Sequence, residues 1–157
     1  MIRDSLEASF NRGELDALED IYSPDCVIHN SPYPDIVGLE ELKRYVATLR
    51  TAFPDLAMSV NDVMTEGDDG GLIRAFEGAN TGFLAFFPPT RKRARWRGVT
   101  RIFLTDGKIR EEFIYDDYAG LMLQLGLIRE GSLLDLLGIA KARGPMKMVR
   151  FIYKAGF

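Results

Sequence analysis

Two adjacent aspartates, Asp116 and Asp117, are the side chains whose positions in this chain best suit acid–base chemistry. The segment that begins at Ile109 alternates apolar and charged residues, a pattern that predicts a strand. In this pattern Asp117 shares a mostly apolar face with Phe113, whereas Asp116 falls on the charged face. A carboxyl group on an apolar face is desolvated, which suits it to proton transfer near neutral pH. The alternative is that Asp117 caps a helix that starts near Tyr118.

Four further polar side chains could assist such chemistry in an apolar pocket. Arg74 lies on an apolar strand face and needs a carboxylate or a ligand oxygen there, unless its long side chain reaches the sheet edge. His29 ends an apolar strand, where it either borders a pocket or is a non-catalytic histidine. Asn80 and Thr81 either donate hydrogen bonds to a developing oxyanion or belong to an ordinary turn.

A pocket of this kind would bind its substrate mainly through aromatic side chains. We expect the contacts to come from six aromatic residues and one hydroxyl, namely Tyr33, Phe53, Thr81, Phe86, Trp96, Phe113 and Tyr115.

Other kinds of chemistry lack the residues that they need. One histidine and one cysteine cannot supply a structural zinc set, and the chain has no H-E-x-x-H or EF-hand motif. No dinucleotide-binding glycine motif, phosphate-binding loop or nucleophile-elbow serine occurs. We therefore expect neither a metal nor a cofactor, and we predict acid–base catalysis on a small molecule.

A run of arginines at residues 91–97 is the feature that most suggests a nucleic-acid surface. Its alternation places Arg91, Arg93, Arg95 and Arg97 on one face and Trp96 on the other, which predicts the basic outer face of an edge strand. Because the net charge is -3, one basic patch is weak support for nucleic-acid binding, and we expect none.

The length of 157 residues predicts one domain, and a single cysteine suits a reducing compartment. The first residues lack the continuous apolar core of a signal peptide, and no apolar run approaches the ~18 residues that cross a bilayer. We expect a cytoplasmic protein without membrane contact, apart from the basic C-terminal tail described next.

The order of the predicted elements indicates an α+β domain. Helical spacing occurs in the first third of the chain, and a second helix from Gly38 stops at Pro54. Beyond it the period changes to two, with hairpin turns at residues 67–71 and 106–107. Residues 1–127 form the expected domain, and residues 128–157 form an apolar helix and a basic tail that pack on it or on a second subunit, or touch an anionic membrane.

Several short motifs follow one another in an order that resembles the SnoaL-like polyketide cyclases, over residues 5–127. They are Gly38-x-Glu40, Ala52-Phe53-Pro54-Asp55-Leu56, Arg74-x-x-x-Gly78-x-Asn80-Thr81-Gly82, Pro88-Pro89-Thr90, Asp106-Gly107-Lys108-Ile109 and Asp117-x-x-Gly120-Leu121-x-x-Gln124-Leu125-Gly126.

The resemblance implies a ketosteroid-isomerase-like cone, in which N-terminal helices pack on the concave face of a curved antiparallel sheet. It implies cofactor-free aldol ring closure of an aromatic polyketide ester in antibiotic biosynthesis, by an enzyme that forms a homodimer or homotetramer. In that family the acid–base residue is an Asp seven positions before Gln-Leu-Gly, which here is Asp117.

The chain departs from the family at Asn80, where the family usually has a histidine, and in its C-terminal extension. An amide cannot transfer protons at neutral pH, so the reaction could differ. The alternatives are another acid–base enzyme on the same fold (an isomerase, a dehydratase, an epoxide hydrolase or a hydroxylase-like enzyme) and a non-catalytic ligand-binding or dimerisation module. An epoxide hydrolase of this shape would require a second carboxylate beside Arg74.

Overall fold

The computed structural model describes residues 1–31, 33–84 and 87–128. Residues Met1–Gly126 form one compact unit. The predicted C-terminal helix and basic tail lie outside the described residues from residue 129 onward, as does Phe86. The role of residues 128–157 and the homodimer or homotetramer therefore stay predictions.

Within the described residues, three α-helices form where apolar spacing and end signals predict helical structure. Helix α1 spans Ile2–Glu7, and the predicted apolar stripe continues through a π-helical turn at Ala8–Arg12 and a 3-10 helix at Leu15–Asp20. Helix α2 spans Leu39–Ala52 and ends just before Pro54, while α3 spans Tyr118–Leu125. Helix α2 buries its apolar stripe, which consists of Leu39, Leu42, Val46, Leu49 and Ala52.

Six strands form one curved sheet with the order β2-β1-β6-β5-β4-β3. The strands are β1 Tyr22–His29, β2 Ile36–Val37, β3 Ala57–Glu66, β4 Asp69–Ala79, β5 Arg93–Thr105 and β6 Lys108–Asp116. All neighbouring pairs are antiparallel except β1 and β6, which run parallel. The predicted α+β class with a curved sheet is confirmed.

The helices and the sheet meet in an aromatic core. The ring of Phe76 on β4 lies 5.1 Å from that of Trp96 on β5 and 5.7 Å from that of Phe10. The ring of Phe53, at the end of α2, lies 5.3 Å from Trp96. These contacts fix Trp96, which also forms part of the candidate site described below.

Strand β5 presents Arg93, Arg95 and Arg97 to solvent and buries Trp96, so the predicted alternation is confirmed. Its expected place at a sheet edge is wrong, because β4 and β6 pair with it on both sides. The basic face is thus the outer face of the sheet's centre.

A β-bulge in β6 overturns the predicted alternation of this strand. Leu104 pairs with Ile109 and Phe103 pairs with Glu111, so Arg110 is an extra residue without a partner on β5. Because an extra residue shifts every later side chain to the opposite face, Glu112, Ile114 and Asp116 point into the fold. The remaining members of the expected inner face, which are Glu111, Phe113, Tyr115 and Asp117, lie outside the buried core.

None of the described helices is long and apolar enough to cross a membrane.

Candidate active site

A cavity of about 240 Å³ opens between α2, α3 and the ends of β5 and β6. Its walls are mostly apolar and aromatic, with a few polar groups. The lining residues are Asn30, Tyr33, Pro34, Ile36, Tyr45, Thr48, Leu49, Leu84, Trp96, Asp116, Tyr118 and Leu121. Among these residues Asp116 is the only one with a charged side chain. A concave apolar site with a few convergent polar groups is typical of small-molecule binding.

The Asp116 carboxylate reaches the cavity from the end of β6. It lies directly opposite Gly98 of β5, and a Cβ atom built on Gly98 would overlap its Oδ1 atom. Glycine at residue 98 therefore provides the space that the carboxylate occupies. With a side chain only 4% exposed, Asp116 needs a partner that compensates its charge.

Arg74 of β4 is that partner, and it binds a second carboxylate at the same time. Its Nη2 atom lies 3.1 Å from Oδ1 of Asp116, and its Nη1 atom lies 3.5 Å from Oε1 of Glu112. The Arg74 and Glu112 side chains are 5% and 2% exposed. The hydroxyl of Tyr22 donates a 2.6 Å hydrogen bond to Oε2 of Glu112. One guanidinium thus holds two carboxylates, and the predicted need of Arg74 for a carboxylate is met.

Burial and charge act against each other on the ionisation of this cluster. For Arg74, burial alone lowers the pKa, but attraction by Asp116 and Glu112 outweighs it, so the guanidinium stays charged. For Glu112, burial raises the pKa and outweighs the opposing effects of Arg74 and Tyr22. Glu112 therefore binds a proton more readily than an exposed glutamate does.

Asn30, Tyr45 and Tyr118 are neutral polar side chains that line the cavity with Asp116 and contact one another. The Tyr118 hydroxyl donates a 2.6 Å hydrogen bond to Oδ1 of Asn30, and Nδ2 of Asn30 lies 3.4 Å from the Tyr45 hydroxyl. Burial raises the pKa of Tyr45 and of Tyr118, so both hydroxyls stay protonated. The cavity thus combines one carboxylate with hydroxyl and amide groups.

Tyr45 also borders a small inner cavity of about 10 Å³ behind the site. Arg74, Glu112 and Tyr22 line this inner cavity as well, and Nε of Arg74 has no hydrogen-bond partner among the described residues. The space is close to the volume that one water molecule needs.

The structure places Asp117 outside the cavity. Its exposed side chain accepts a 2.8 Å hydrogen bond from the backbone N–H of Gly120 and caps α3. The expected core-facing orientation of Asp117 is wrong, because the bulge at Arg110 turns Asp116 inward instead. The alternative interpretation as a helix cap is confirmed, and the catalytic role of Asp117 stays a prediction.

His29 lies on the outer face of the sheet, where its ring stacks on Phe113 with 4.4 Å between ring centroids. It does not line the cavity that contains Asp116. His29 instead lines an open pocket on the outer face together with Phe103 and Glu111, because β1 turns Ile28 and Asn30 inward.

Asn80 follows the end of β4 and forms a hydrogen bond with the last residue of α2. Its Nδ2 atom donates to the carbonyls of Ala52 and Gly82, at 3.2 Å and 2.9 Å, and its Oδ1 atom accepts from the N–H of Thr90 at 2.8 Å. The N–H of Thr81 also donates to Ala52. Neither Asn80 nor Thr81 lines the cavity, so the alternative of turn chemistry describes their contacts better.

The aromatic residues that we expected to bind substrate divide into three groups. Tyr33 and Trp96 line the cavity. Phe53 is fully buried in the core beside Trp96. Phe113 and Tyr115 lie on the outer face, because of the bulge in β6.

Four residues of the site escape sequence reasoning, namely Asn30, Tyr45, Glu112 and Tyr118. A signal existed for Glu112, since Ile109 and Ile114 are both apolar but five residues apart, an odd separation that a regular strand places on opposite faces. Asn30 and Tyr118 lie beside the ends of β1 and α3, whereas Tyr45 lies in the middle of α2, and no motif marks them. No cluster of three or more His, Cys, Asp or Glu side chains suited to a metal occurs among the described residues.

The chain belongs to the SnoaL-like polyketide cyclase family, whose sequence model matches residues 1–125. The aklanonic acid methyl ester cyclase DauD from Streptomyces sp. (strain C5) is 30% identical over 134 residues, which cover 80% of each chain. The predicted resemblance is confirmed.

Solved structures agree on the fold. TsrD from Streptomyces laurentii superposes with a TM-score of 0.73 at 22% identity, over 80% of this chain and 92% of that one. A protein with a ketosteroid-isomerase-like fold from Catenulispora acidiphila DSM 44928 gives a TM-score of 0.65 at 13% identity, over 78% and 90% of the two chains. The expected ketosteroid-isomerase-like architecture is confirmed.

Removing the shared cation tests how much the buried cluster depends on it. We expect Arg74→Leu to lower the free energy of unfolding by about 3–5 kcal/mol, because it leaves two buried carboxylates without a cation to compensate their charge. Combining it with Glu112→Gln should restore part of the loss by removing one of these charges. Urea unfolding measures both effects.

Arg93→Leu is a matched control for this experiment. Arg93 also binds two carboxylates, Asp55 and Glu77, each at 2.7 Å, but its side chain is 56% exposed. Water already solvates such charges, so we expect a loss below about 1 kcal/mol. Equal losses for the two variants would contradict the role of burial.

Proposed function

We propose that this protein closes a ring in a neutral aromatic polyketide-derived ester by cofactor-free aldol chemistry, with Asp116 as the acid–base residue. The observation that carries the proposal is that Asp116 is the one charged side chain among the described residues of a mostly apolar and aromatic cavity, where a buried arginine binds it. DauD, a relative at 30% identity, is a cyclase of aklanonic acid methyl ester, which indicates the substrate class. The reaction fits a cytoplasmic enzyme of secondary metabolism.

The proposed reaction begins when the Asp116 carboxylate removes an acidic C–H proton from the bound ester. The resulting enolate attacks a carbonyl carbon of the same molecule, and a new carbon–carbon bond forms as the carbonyl oxygen becomes an alkoxide. Asp116 then returns the proton to this alkoxide, so the carboxylate is regenerated. Every atom of the substrate is retained in the product.

The other cavity residues position the substrate and stabilise charge. The hydroxyl of Tyr45 and the amide of Asn30 can donate hydrogen bonds to an enolate or alkoxide oxygen at the polar edge of the cavity, while the Tyr118 hydroxyl orients Asn30. The flat ring of Trp96 offers a stacking surface for an aromatic substrate. Holding the reacting carbons close together can contribute several kcal/mol to lowering the barrier.

Epoxide hydrolysis is the second candidate, and one observation favours it. Arg74 connects two carboxylates, Glu112 and Asp116, as an epoxide hydrolase of this shape would require. However, only Asp116 lines the main cavity, whereas Glu112 faces the small inner cavity and accepts from Tyr22. A single carboxylate that can reach the substrate fits proton transfer within one molecule better than a reaction shared by two carboxylates.

Asp116 and its neighbour provide a matched pair of substitutions for the acid–base role. We expect Asp116→Asn to lower kcat on aklanonic acid methyl ester by about 100-fold or more, because an amide cannot accept the proton. We expect Asp117→Asn to stay within about threefold of the parent, since asparagine is an equally good helix cap. Product formation followed by absorbance and mass spectrometry measures both rates.

The opposite ranking of the two variants would assign the role to Asp117, as the family resemblance implies. Absence of turnover by the parent protein would contradict ring closure of this ester. Conversion of an aromatic epoxide to its diol, lost in both Asp116→Asn and Glu112→Gln, would favour the second candidate.

The charge of the cavity predicts a preference for neutral ligands. We expect the methyl ester of anthraquinone-2-carboxylic acid to bind at least about tenfold more tightly than the free carboxylate, because the carboxylate would be desolvated close to Asp116. Trp96 is the only tryptophan of the chain and lines the cavity, so quenching of its fluorescence reports binding directly. Asp116→Asn should reduce the preference, and equal affinities in the parent protein would contradict it.

A further inference from the structure

The ring of His29 lies between two carboxylates on the outer face of the sheet. Its Nδ1 atom is 3.0 Å from Oδ2 of Asp35, and its Nε2 atom is 3.0 Å from Oε1 of Glu111. A neutral imidazole carries one N–H group and can donate to only one of these acceptors. The imidazolium form carries two N–H groups, so it alone satisfies both contacts.

Asp35 belongs to a segment that forms one wall of the candidate active site. We call residues 30, 31 and 33–36 the wall segment. Four of them line the cavity, namely Asn30, Tyr33, Pro34 and Ile36. The segment is held by few backbone contacts, since β2 pairs with β1 over only two residues, Ile36 and Val37.

The contacts of His29 therefore connect this wall to the strand that carries the proposed acid–base group. Glu111 and Asp116 both lie on β6, on opposite sides of the sheet. Asp35 is the link from His29 to the wall segment. The bridge from Asp35 through His29 to Glu111 thus connects the wall segment to β6.

We propose that His29 is a positioning residue, which in its doubly protonated form holds the wall segment through Asp35 and so favours ligand binding in the cavity. The role rests on the proposed function only in requiring that the cavity binds an aromatic ligand. It does not require that the protein catalyses ring closure.

The charges around His29 define the pH range of this effect. The hydrogen bond to Glu111 raises the pKa of His29, burial opposes it, and Asp35 raises it further. Nearby on the same face, Asp25 and Arg110 pair with each other at 3.0 Å. Because the pKa in the folded protein lies above the unfolded value, the stabilisation by His29 is complete below the unfolded pKa of about 6.5. It is lost as the pH rises through the higher folded pKa.

Nuclear magnetic resonance can follow this titration without assignment ambiguity, because His29 is the only histidine of the chain. We expect both ring nitrogens to be protonated at mildly acidic pH, and the midpoint to fall in Glu111→Gln and in Asp35→Asn. Asp25→Asn is the matched control, since Asp25 is a carboxylate of the same face that pairs with Arg110 instead. A midpoint that both bridge variants leave unchanged would overturn the proposal.

Amide hydrogen exchange tests the wall segment itself, without any ligand. We expect the protection of Tyr33 and Ile36, corrected for intrinsic exchange rates, to fall by at least about fivefold as His29 deprotonates. In His29→Gln and Asp35→Asn this protection should be low at all pH values and independent of His29 titration. Unchanged protection across the His29 midpoint in the parent protein would overturn the proposal.

Ligand binding gives the functional readout. We expect the affinity for the methyl ester of anthraquinone-2-carboxylic acid, read from Trp96 fluorescence, to fall by at least about fivefold across the His29 midpoint. By linkage, saturating ester should lower the proton dissociation constant of His29 by the same factor, so the midpoint moves to higher pH. An affinity that does not change with pH in the parent protein would overturn the proposal. A pH dependence that persists in His29→Gln would overturn it as well. Loss of turnover is a separate result, since Asp116→Asn tests the proposed reaction and leaves the His29 bridge in place.

Discussion

The ion pairs of Arg74 are the interaction on which the candidate site depends. One buried guanidinium binds Asp116 with one arm and Glu112 with the other, so neither carboxylate is left uncompensated inside the fold. Because Arg74 is on β4 and both carboxylates are on β6, the contacts pass across β5, where Gly98 leaves room for Asp116. The position of the proposed acid–base group is therefore fixed by three strands at once.

This arrangement also separates the two faces of the sheet by function. The inner face carries the aromatic core, the Arg74 cluster and the cavity. The outer face carries the arginines of β5 and the bridge from Asp35 through His29 to Glu111. A sheet is only one residue thick, so neighbouring residues of β6 serve both faces. This closeness is the basis of the proposed effect of His29, on the outer face, on the wall of the inner-face cavity.

Family membership and geometry assign the acid–base role to different neighbours. The spacing to Gln-Leu-Gly implies Asp117, whereas the cavity contains Asp116. The side chain of Asp117 accepts a hydrogen bond from the first turn of α3. Gly120 has no Cβ atom and so leaves room for the Asp117 carboxylate there. Asn80, which replaces the family histidine, is saturated by hydrogen bonds to the backbone and to Thr90. Its amide suits a structural role better than a proton-transferring group would.

The sequence alone predicts the fold class, helix α2 and its end before Pro54, the turn at residues 106–107, and the inward and outward faces of β5. These features depend on local propensity and on periodicity, which neighbouring residues encode directly. The sequence also indicated that Arg74 needs a carboxylate, since a buried cation must be compensated.

The identity of these carboxylates and the position of the cavity depend instead on how the strands pair in the folded chain. The feature that matters most is the bulge in β6, where Arg110 is one extra residue opposite β5. It places every later side chain of β6 on the face opposite to the one that simple alternation predicts. A bulge is specified by how β6 pairs with β5, so the alternation within β6 alone does not locate it. For the same reason Asn30, Tyr45 and Tyr118, which come from three separate elements, become one site only when the chain has folded.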